Sequence, residues 1–295
     1  MSVVVNNVVM KYGDFEAVQG ISMEVPEGTI HGLIGENGAG KTTLIKCLMG
    51  IYKPVSGEVL VDGENVYENP KVKARIGFVA DSNKYFPTYQ LGKMVKFFQG
   101  VYEKFDINKI KELNQIFKLD MNKRVSELSK GQQMRFAFML NIAANTDILI
   151  MDEPTSGIDA IAKKELFSVL IKEVEERNLT VIISSHNIIE LEKICDSVTM
   201  IKGGKVITQN GMDDVIGNVR KFNYAFADGA PEEFLKHPKL INYTNVGNIY
   251  TVIFEGITDE EVEGINKYNP SFTEELRVNL EEVFVYTNGG DSVEK

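Results

Sequence analysis

The segment Gly35-Glu36-Asn37-Gly38-Ala39-Gly40-Lys41-Thr42 constrains this chain more than any other. It fits the pattern G-x-x-x-x-G-K-[ST]. It stands between an apolar run at residues 29–34 and a helical pattern through Leu44, Ile45 and Leu48 that ends at Gly50. Glycines at these positions let the backbone curl so that successive N–H groups point inward at a phosphate. The new helix aims its positive end at the same place. Lys41 is then placed to reach the β- and γ-phosphates, and the Thr42 hydroxyl to ligate Mg²⁺. A strand, a phosphate-cradling turn and a helix in this order belong in an α/β domain.

The next 160 or so residues keep that alternation going. Residues 57–61, 76–80, 148–151, 180–183, 197–201 and 205–208 read as strands. Ile148-Leu149-Ile150-Met151 and Thr180-Val181-Ile182-Ile183 are short, almost wholly apolar runs, as expected of strands covered on both faces of a parallel sheet. Residues 89–118 are helical in pattern. Met94, Phe97, Phe98 and Val101 share one apolar face, and Ile110, Leu113, Ile116 and Phe117 a later one; both are expected to lie in the core. Residues 160–177 form a further helix. A composition shift near Gly211 marks a boundary: residues 211–295 carry 16 acidic and 7 basic side chains, out of 42 and 32 in the whole chain. Beyond it, residues 222–226 and 249–254 are strand-like, and 231–236, 260–268 and 280–286 helix-like.

Three other segments carry chemistry. The strand at 148–151 runs into Asp152 and Glu153, adjacent carboxylates that face different ways on an extended chain. Asp152 suits the Mg²⁺ shell, and Glu153 suits orienting or deprotonating an attacking water. Leu128-Ser129-Lys130-Gly131-Gln132 opens a helix with a hydroxyl and an exposed backbone, a place for an anion or an ordinary helix cap. Ser184-Ser185-His186 ends another buried strand, where a lone histidine is usually structural.

Taken together, these segments resemble the ATP-binding cassette family over nearly all of residues 1–210. Residues 35–43, ending in Thr43, look like the Walker A loop, and residues 128–132 like the L-S-G-G-Q signature. Residues 148–153 resemble Walker B, Ser156-Gly157-Ile158-Asp159 the D-loop, and His186 the switch histidine. Tyr12 stands where the family has an aromatic residue stacked on adenine. The resemblance implies a P-loop cassette at residues 1–210. It would have a RecA-like core sheet, a helical signature subdomain at about residues 85–145 and an antiparallel β subdomain, with a small acidic α+β domain following at 211–295. It also implies catalytic roles for Glu153 and His186. Contacts to ATP are implied for Tyr12, residues 35–43, Ser129, Gly131, Gln132 and Asp159, and contacts to Mg²⁺ for Thr42 and Asp152. Two cassettes would face head to tail, so that Ser129 and Gly131 touch the γ-phosphate held by the other copy, whether a homodimer partner or a sibling subunit.

Two positions depart from the family pattern. Lys130 replaces the first glycine of the signature pair. Asp81 stands where the family has a glutamine that binds Mg²⁺ and links nucleotide state to the membrane subunit; it is retained as a metal or coupling candidate, because Gln90 lies nine residues too late.

The function expected is that of an ATPase subunit energising a separate transmembrane permease. The chain has no apolar run of the roughly 18 residues that cross a bilayer. Residues 1–10 are too short and lack the basic start of a secretory signal. The chain is therefore not expected to span a membrane itself; the resemblance implies a peripheral place on the cytoplasmic face, and two isolated cysteines, Cys47 and Cys195, agree with a reduced setting. The terminal Leu280-Glu281-Glu282-Val283-Phe284 is similar to the end of bacterial single-cassette exporter ATPases and favours export. An acidic tail repels phosphate backbones, so nucleic acid is not an expected partner. The alternative is a soluble cassette protein acting on ribosomes or DNA, but such relatives carry long coiled coils or two cassettes. A P-loop GTPase would need an N-K-x-D motif, which is missing.

Overall fold

The computed structural model describes residues 1–83 and 85–287, and divides into two compact units. One comprises Met1–Asn187 and Ile194–Gln209, the other Ile188–Lys193 and the chain from Asn210 onward.

The first unit opens with β1 (Val3–Tyr12) and β2 (Phe15–Val25), a long antiparallel hairpin turning at Gly13, whose φ of +60° suits a residue without Cβ. β3 (Ile30–Ile34) is entirely buried and leads through the phosphate-loop segment into α1 (Lys41–Leu48). β4 (Ser56–Val61) and β5 (Glu64–Asn65) complete a four-stranded sheet in the order β2-β1-β4-β5. After α2 (Pro70–Lys73) comes β6 (Ile76–Val79). The helical pattern of residues 89–118 is two helices, α3 (Leu91–Val101) and α4 (Ile107–Phe117). Tyr102 leaves the helix in an extended conformation, and Asp106 starts a new one by accepting a hydrogen bond from Asn108 N at 2.8 Å. Met94, Phe98, Ile110, Leu113 and Phe117 are buried as expected, but Phe97, Val101 and Ile116 face outward, 45%, 60% and 37% exposed.

α5 (Lys130–Ala143) begins at Ser129, and β7 (Ile148–Asp152) follows it. α6 (Ala160–Arg177) is capped by Asp159, and β8 (Thr180–Ser185) is buried throughout. In the second unit lies α7 (Ile188–Leu191); β9 (Ser197–Lys202) and β10 (Lys205–Gly211) then close the large sheet. Its order is β10-β9-β3-β8-β7-β6, and the five strands from β9 to β6 run parallel. Parallel pairing decides where chemistry can occur. The C-terminal ends of β3, β8, β7 and β6 all open on one edge of the sheet, so Gly35, His186, Glu153 and Asp81 emerge there together.

The second unit continues with α8 (Met212–Gly217), β11 (Val219–Ala225), α9 (Glu232–Leu235), β12 (Leu240–Val246) and β13 (Ile249–Glu255). It ends with α10 (Asp259–Gly264), β14 (Phe272–Leu276) and α11 (Leu280–Thr287). Its antiparallel sheet, β12-β13-β11-β14, is covered on one face by an aromatic core of Phe222, Tyr224, Phe226, Phe234 and Phe254. No helix among the described residues is long and apolar enough to cross a membrane. Both cysteines are free and buried.

Candidate active site

The turn after β3 is shaped by two close approaches of backbone. A Cβ on Gly35 would lie 2.4 Å from Ile201 O, and one on Gly40, at φ +106°, 2.4 Å from Ala17 O. Only glycine fits at either place. Gly38 differs: its surroundings are open, and its φ of +83° alone calls for glycine. Glu36, Asn37 and Gly38 are exposed and Ala39 is buried, its N–H closing the turn onto Glu36 O at 3.1 Å. Lys41 is buried to 6% exposure and folds back over the loop, donating to Gly35 O at 2.6 Å and Glu36 O at 3.2 Å. A buried ammonium demands oxygen partners, and a phosphate arriving in the loop would replace these carbonyls with a charged one.

Thr42 and the end of β7 meet directly. Thr42 Oγ1 donates to Asp152 Oδ2 at 2.9 Å, while Ser184 Oγ donates to Asp152 Oδ1 at 2.5 Å. Asp152 is only 6% exposed, and the two hydroxyls hold both of its oxygens. In the sequence Ser184 was named only as part of the strand end before His186 and was given no role; its position at the end of an all-buried strand neighbouring β7 is the signal that could have found one. The hydroxyl and carboxylate form a hard-oxygen pair of the kind that holds Mg²⁺ with water completing the shell.

Glu153 adopts φ +49°, a left-handed conformation that a non-glycine residue holds at a cost of about 1–3 kcal/mol unless its surroundings impose it. Its N–H donates to Ser184 O and lies 3.1 Å from Ser184 Oγ as well, which anchors the strained residue to β8. The carboxylate is thereby turned toward His186, whose Nδ1 is 2.7 Å from Glu153 Oε2. Lys41 Nζ stands 3.6 Å from Glu153 Oε1. The structure thus brings Lys41, Thr42, Asp152, Glu153 and His186 into one connected cluster.

Tyr12 is 45% exposed, with its hydroxyl 3.3 Å from Thr43 Oγ1 and its ring edge-on to Tyr52 at 6.0 Å. The polar contacts of Ser129 and Gln132 stay local. Ser129 Oγ accepts from Gln132 N at 3.3 Å, and Gln132 Oε1 accepts from Ser129 N at 3.2 Å, a reciprocal capping box. Gly131 packs on Ile158, where a Cβ would lie 3.2 Å from the Ile158 Cγ2. Asp159 accepts from Ala162 N at 2.9 Å, a bond that holds its carboxyl below the usual range, and Arg135 stands 3.6 Å away. Asp81 does not join the Thr42–Asp152 pair; its Oδ1 is 2.9 Å from Lys130 Nζ.

The ABC transporter family model matches residues 18–156, from β2 through the turn after Glu153. The ABC transporter ATP-binding protein YtrB of Bacillus subtilis is 29% identical over 93% of this chain and 94% of its own length. An uncharacterized ABC transporter ATP-binding protein of Methanocaldococcus jannaschii is 30% identical over 95% of this chain and 97% of its own. Among solved structures, the dimeric cassette MJ0796, bound to ADP and Pi in a post-hydrolysis state, superposes on 71% of this chain with a TM-score of 0.65 at 24% identity. The shared architecture is a mixed α/β cassette with a parallel core sheet. With the phosphate loop, the Thr42–Asp152 pair and Glu153 converging on one sheet edge, this chain belongs to the ABC transporter family, as an ATP-binding, ATP-hydrolysing subunit.

Proposed function

We propose that the chain works as one half of a cassette pair that energises a separate transmembrane permease, in the direction of export. The observation that carries the reading is the connected cluster at the C-terminal edge of the sheet: Lys41 over the loop, Thr42 hydrogen-bonded to Asp152, and Glu153 hydrogen-bonded to His186.

In this reading the loop amides of residues 35–43 and Lys41 bind the ATP phosphates, and Tyr12 offers its exposed ring to the base. Thr42 and Asp152 hold Mg²⁺, whose role is to neutralise charge on the phosphate oxygens. Glu153 accepts the proton of the attacking water, and His186 orients the Glu153 carboxylate through the 2.7 Å bond. The strained φ of Glu153 supports this assignment, because backbone strain of this sort is kept where surroundings must aim a side chain. Ser129 and Gln132 cap the start of α5, Asp159 caps α6, and Gly131 packs on Ile158, so the signature segment opens a helix. That geometry suits a phosphate bound by a second cassette, homodimeric or sibling. ATP would then close the pair and hydrolysis reopen it.

Docking to a permease is supported by an exposed aromatic patch at the start of the helical region. Phe86, Tyr89 and Phe97 are 49%, 41% and 45% exposed, and Phe86 lies 5.0 Å from Tyr89 and 5.6 Å from Phe97 between ring centroids. Grouped exposed aromatics of this kind mark interaction surfaces. A peripheral site on the cytoplasmic face of the membrane follows from that partner. The cassette would comprise residues 1–210 and the acidic accessory domain residues 211–295. The case for export rests on the terminal segment beginning at Leu280, which forms α11.

The test is purification of the tagged chain from its own cells in mild detergent, with mass spectrometry of what accompanies it. A stoichiometric polytopic membrane protein supports the reading. Recovery with ribosomal or DNA-associated proteins alone would replace transport by a soluble role and leave the ATPase chemistry intact.

A further inference from the structure

The two residues that depart from the family pattern are bonded to each other. Asp81 lies in the loop after β6, and Lys130 is the first residue of α5, 49 positions later. Lys130 Nζ is 2.9 Å from Asp81 Oδ1 and also donates to Ser156 Oγ at 3.2 Å. Its stem passes over Gly157, where a Cβ would lie 3.3 Å from Lys130 Cδ. One ammonium therefore joins three segments: the loop after β6, the start of the signature helix, and the turn that follows Glu153.

The loop that presents Asp81 is itself closed: Asn83 accepts from Ala80 N at 3.1 Å and donates to Ala80 O at 2.7 Å. The other side of the junction is a packed seam. Gly131 abuts Ile158, which is 8% exposed, and Arg135 approaches Asp159 at 3.6 Å. Ser156 in turn donates its N–H to Glu153 O at 3.1 Å. A continuous set of contacts thus runs from Asp81 through Lys130 and Ser156 to the backbone of Glu153, the residue held at φ +49°.

Stability alone does not account for the pair. Both side chains are 49% exposed, and an exposed ion pair contributes only about 0.2–1 kcal/mol. Its distinctive property is position. Lys130 is bonded to Ser156 in the turn that follows Glu153, and Asp81 is bonded to Lys130.

We propose that Asp81 and Lys130 are a matched replacement acting as one positioning device. The bridged ammonium sets the turn at residues 153–156 and ties it to the loop after β6, so that each residue is useful only with the other. The Asp81 carboxylate is committed to Lys130 rather than to the metal pair Thr42–Asp152. The proposal rests on Glu153 being the general base. It assigns to Lys130 a role through Ser156, not contact with substrate.

The test is a double-mutant cycle on steady-state ATP hydrolysis by the full-length chain, with nucleotide affinity measured alongside. Asp81→Gln and Lys130→Gly each restore the family residue at one position. Each alone should lower kcat by about 5-fold with little change in KM, as expected for a coupled contact worth on the order of 1 kcal/mol. The double variant D81Q/K130G should recover to within about 2-fold of the parent, because neither orphaned partner remains. Lys130→Arg, which keeps the cation, should retain kcat, whereas Asp81→Asn should behave like Asp81→Gln. Multiplication of the two single losses in the double variant would overturn the proposal, as would losses confined to KM. Unaltered nucleotide affinity in the same preparations checks that the variants fold. Glu153→Gln in the same assay separates the two readings. Persistent turnover there strikes the base assignment, while independent effects at 81 and 130 with Glu153→Gln inactive strike only the pairing.

Discussion

His31 gives the cassette a pH dependence whose size follows from its burial. It sits in the middle of the sheet on β3, fully buried, with Nδ1 2.7 Å from Ser197 Oγ and Nε2 2.8 Å from Thr199 Oγ1. Two hydroxyls satisfy a neutral imidazole in either tautomer, but neither supplies a negative charge for an imidazolium. Burial pushes its pKa from 6.5 down to about 4. The folded value lies below the unfolded one, so the unfolded chain binds the extra proton. Stability from this residue is complete above the unfolded pKa and falls as the pH drops from 6.5 toward 4. The whole window is worth about 3 kcal/mol, and the step from about pH 7.5 to about pH 5 removes about 2 kcal/mol of it.

Replacing His31 with glutamine keeps one donor and one acceptor and removes the titration. The measurement is native-state hydrogen exchange of peptides covering β3 and β8, corrected for intrinsic exchange, at the two pH values. The parent should lose about 2 kcal/mol more opening free energy than His31→Gln on acidification. His31→Gln should itself be less stable at neutral pH, since its amide fits the two hydroxyls less well. Equal acid losses in parent and variant would refute the reasoning, because they would mean that the buried imidazole accepts a proton without penalty. Since β3 launches the phosphate loop, ATP affinity should weaken over the same interval in the parent.

Glu153→Gln should keep nucleotide binding and lower hydrolysis by about 100- to 10,000-fold, measured as phosphate release; turnover within a few-fold of the parent would remove Glu153 from the base role. Ser129→Arg should leave ATP binding by the single chain intact while preventing ATP-dependent dimer formation, followed by size-exclusion chromatography in the Glu153→Gln background. Persistence of the dimer would count against head-to-tail pairing through the signature. Tyr224→Phe should raise the melting temperature of the second unit. The Tyr224 hydroxyl is buried without a hydrogen-bond partner among the described residues, and such a group costs about 1–3 kcal/mol. A lower melting temperature would show that the hydroxyl is satisfied after all.

Which parts of this molecule could be read from sequence depends on whether the controlling interactions are local. β7 and β8 were legible because each carries an unbroken apolar run, Ile148–Met151 in one and Val181–Ile183 in the other, as strands covered on both faces require. The phosphate loop was legible because its whole motif fits within eight residues, although the atoms that exclude a Cβ at Gly35 and Gly40, Ile201 O and Ala17 O, are remote in sequence. β1 and β2 carried no such mark. Their pairing shifts register between Val5 and Val8 and again beyond, which breaks the two-residue alternation a reader looks for. The division between α3 and α4 was hidden for a related reason. The apolar period resumes after Asp106 as if uninterrupted, while Asp106 N is pinned to Ala143 O at 2.7 Å, a contact that no local pattern announces. Phe97 and Val101 fit the apolar period yet face outward, since periodicity locates a face without saying what covers it.

The functional residues divide along the same line. Candidate residues whose chemistry lies in their type and motif, such as Lys41, Thr42, Asp152, Glu153 and His186, could be singled out because each motif is short, and the structure brings them together. Ser184 could not be given a role, because a serine at the end of a strand has no pattern of its own. It acquires meaning only from the neighbouring strand, where it holds Asp152 at 2.5 Å and anchors the backbone of Glu153. Asp81 and Lys130 show the same effect in reverse. Considered singly, each is a motif residue replaced: a metal or hinge glutamine lost in one place, a glycine lost in another. Considered with their coordinates, the two changes are one, since the charge introduced at Asp81 is met by the charge introduced at Lys130. Without Lys130 the Asp81 carboxylate would lose this cation, and without Asp81 the Lys130 ammonium would be left with its bond to Ser156 Oγ. Each replacement therefore supplies the partner of the other. The unit proposed to act is the bridged pair, which no reading confined to one motif can contain.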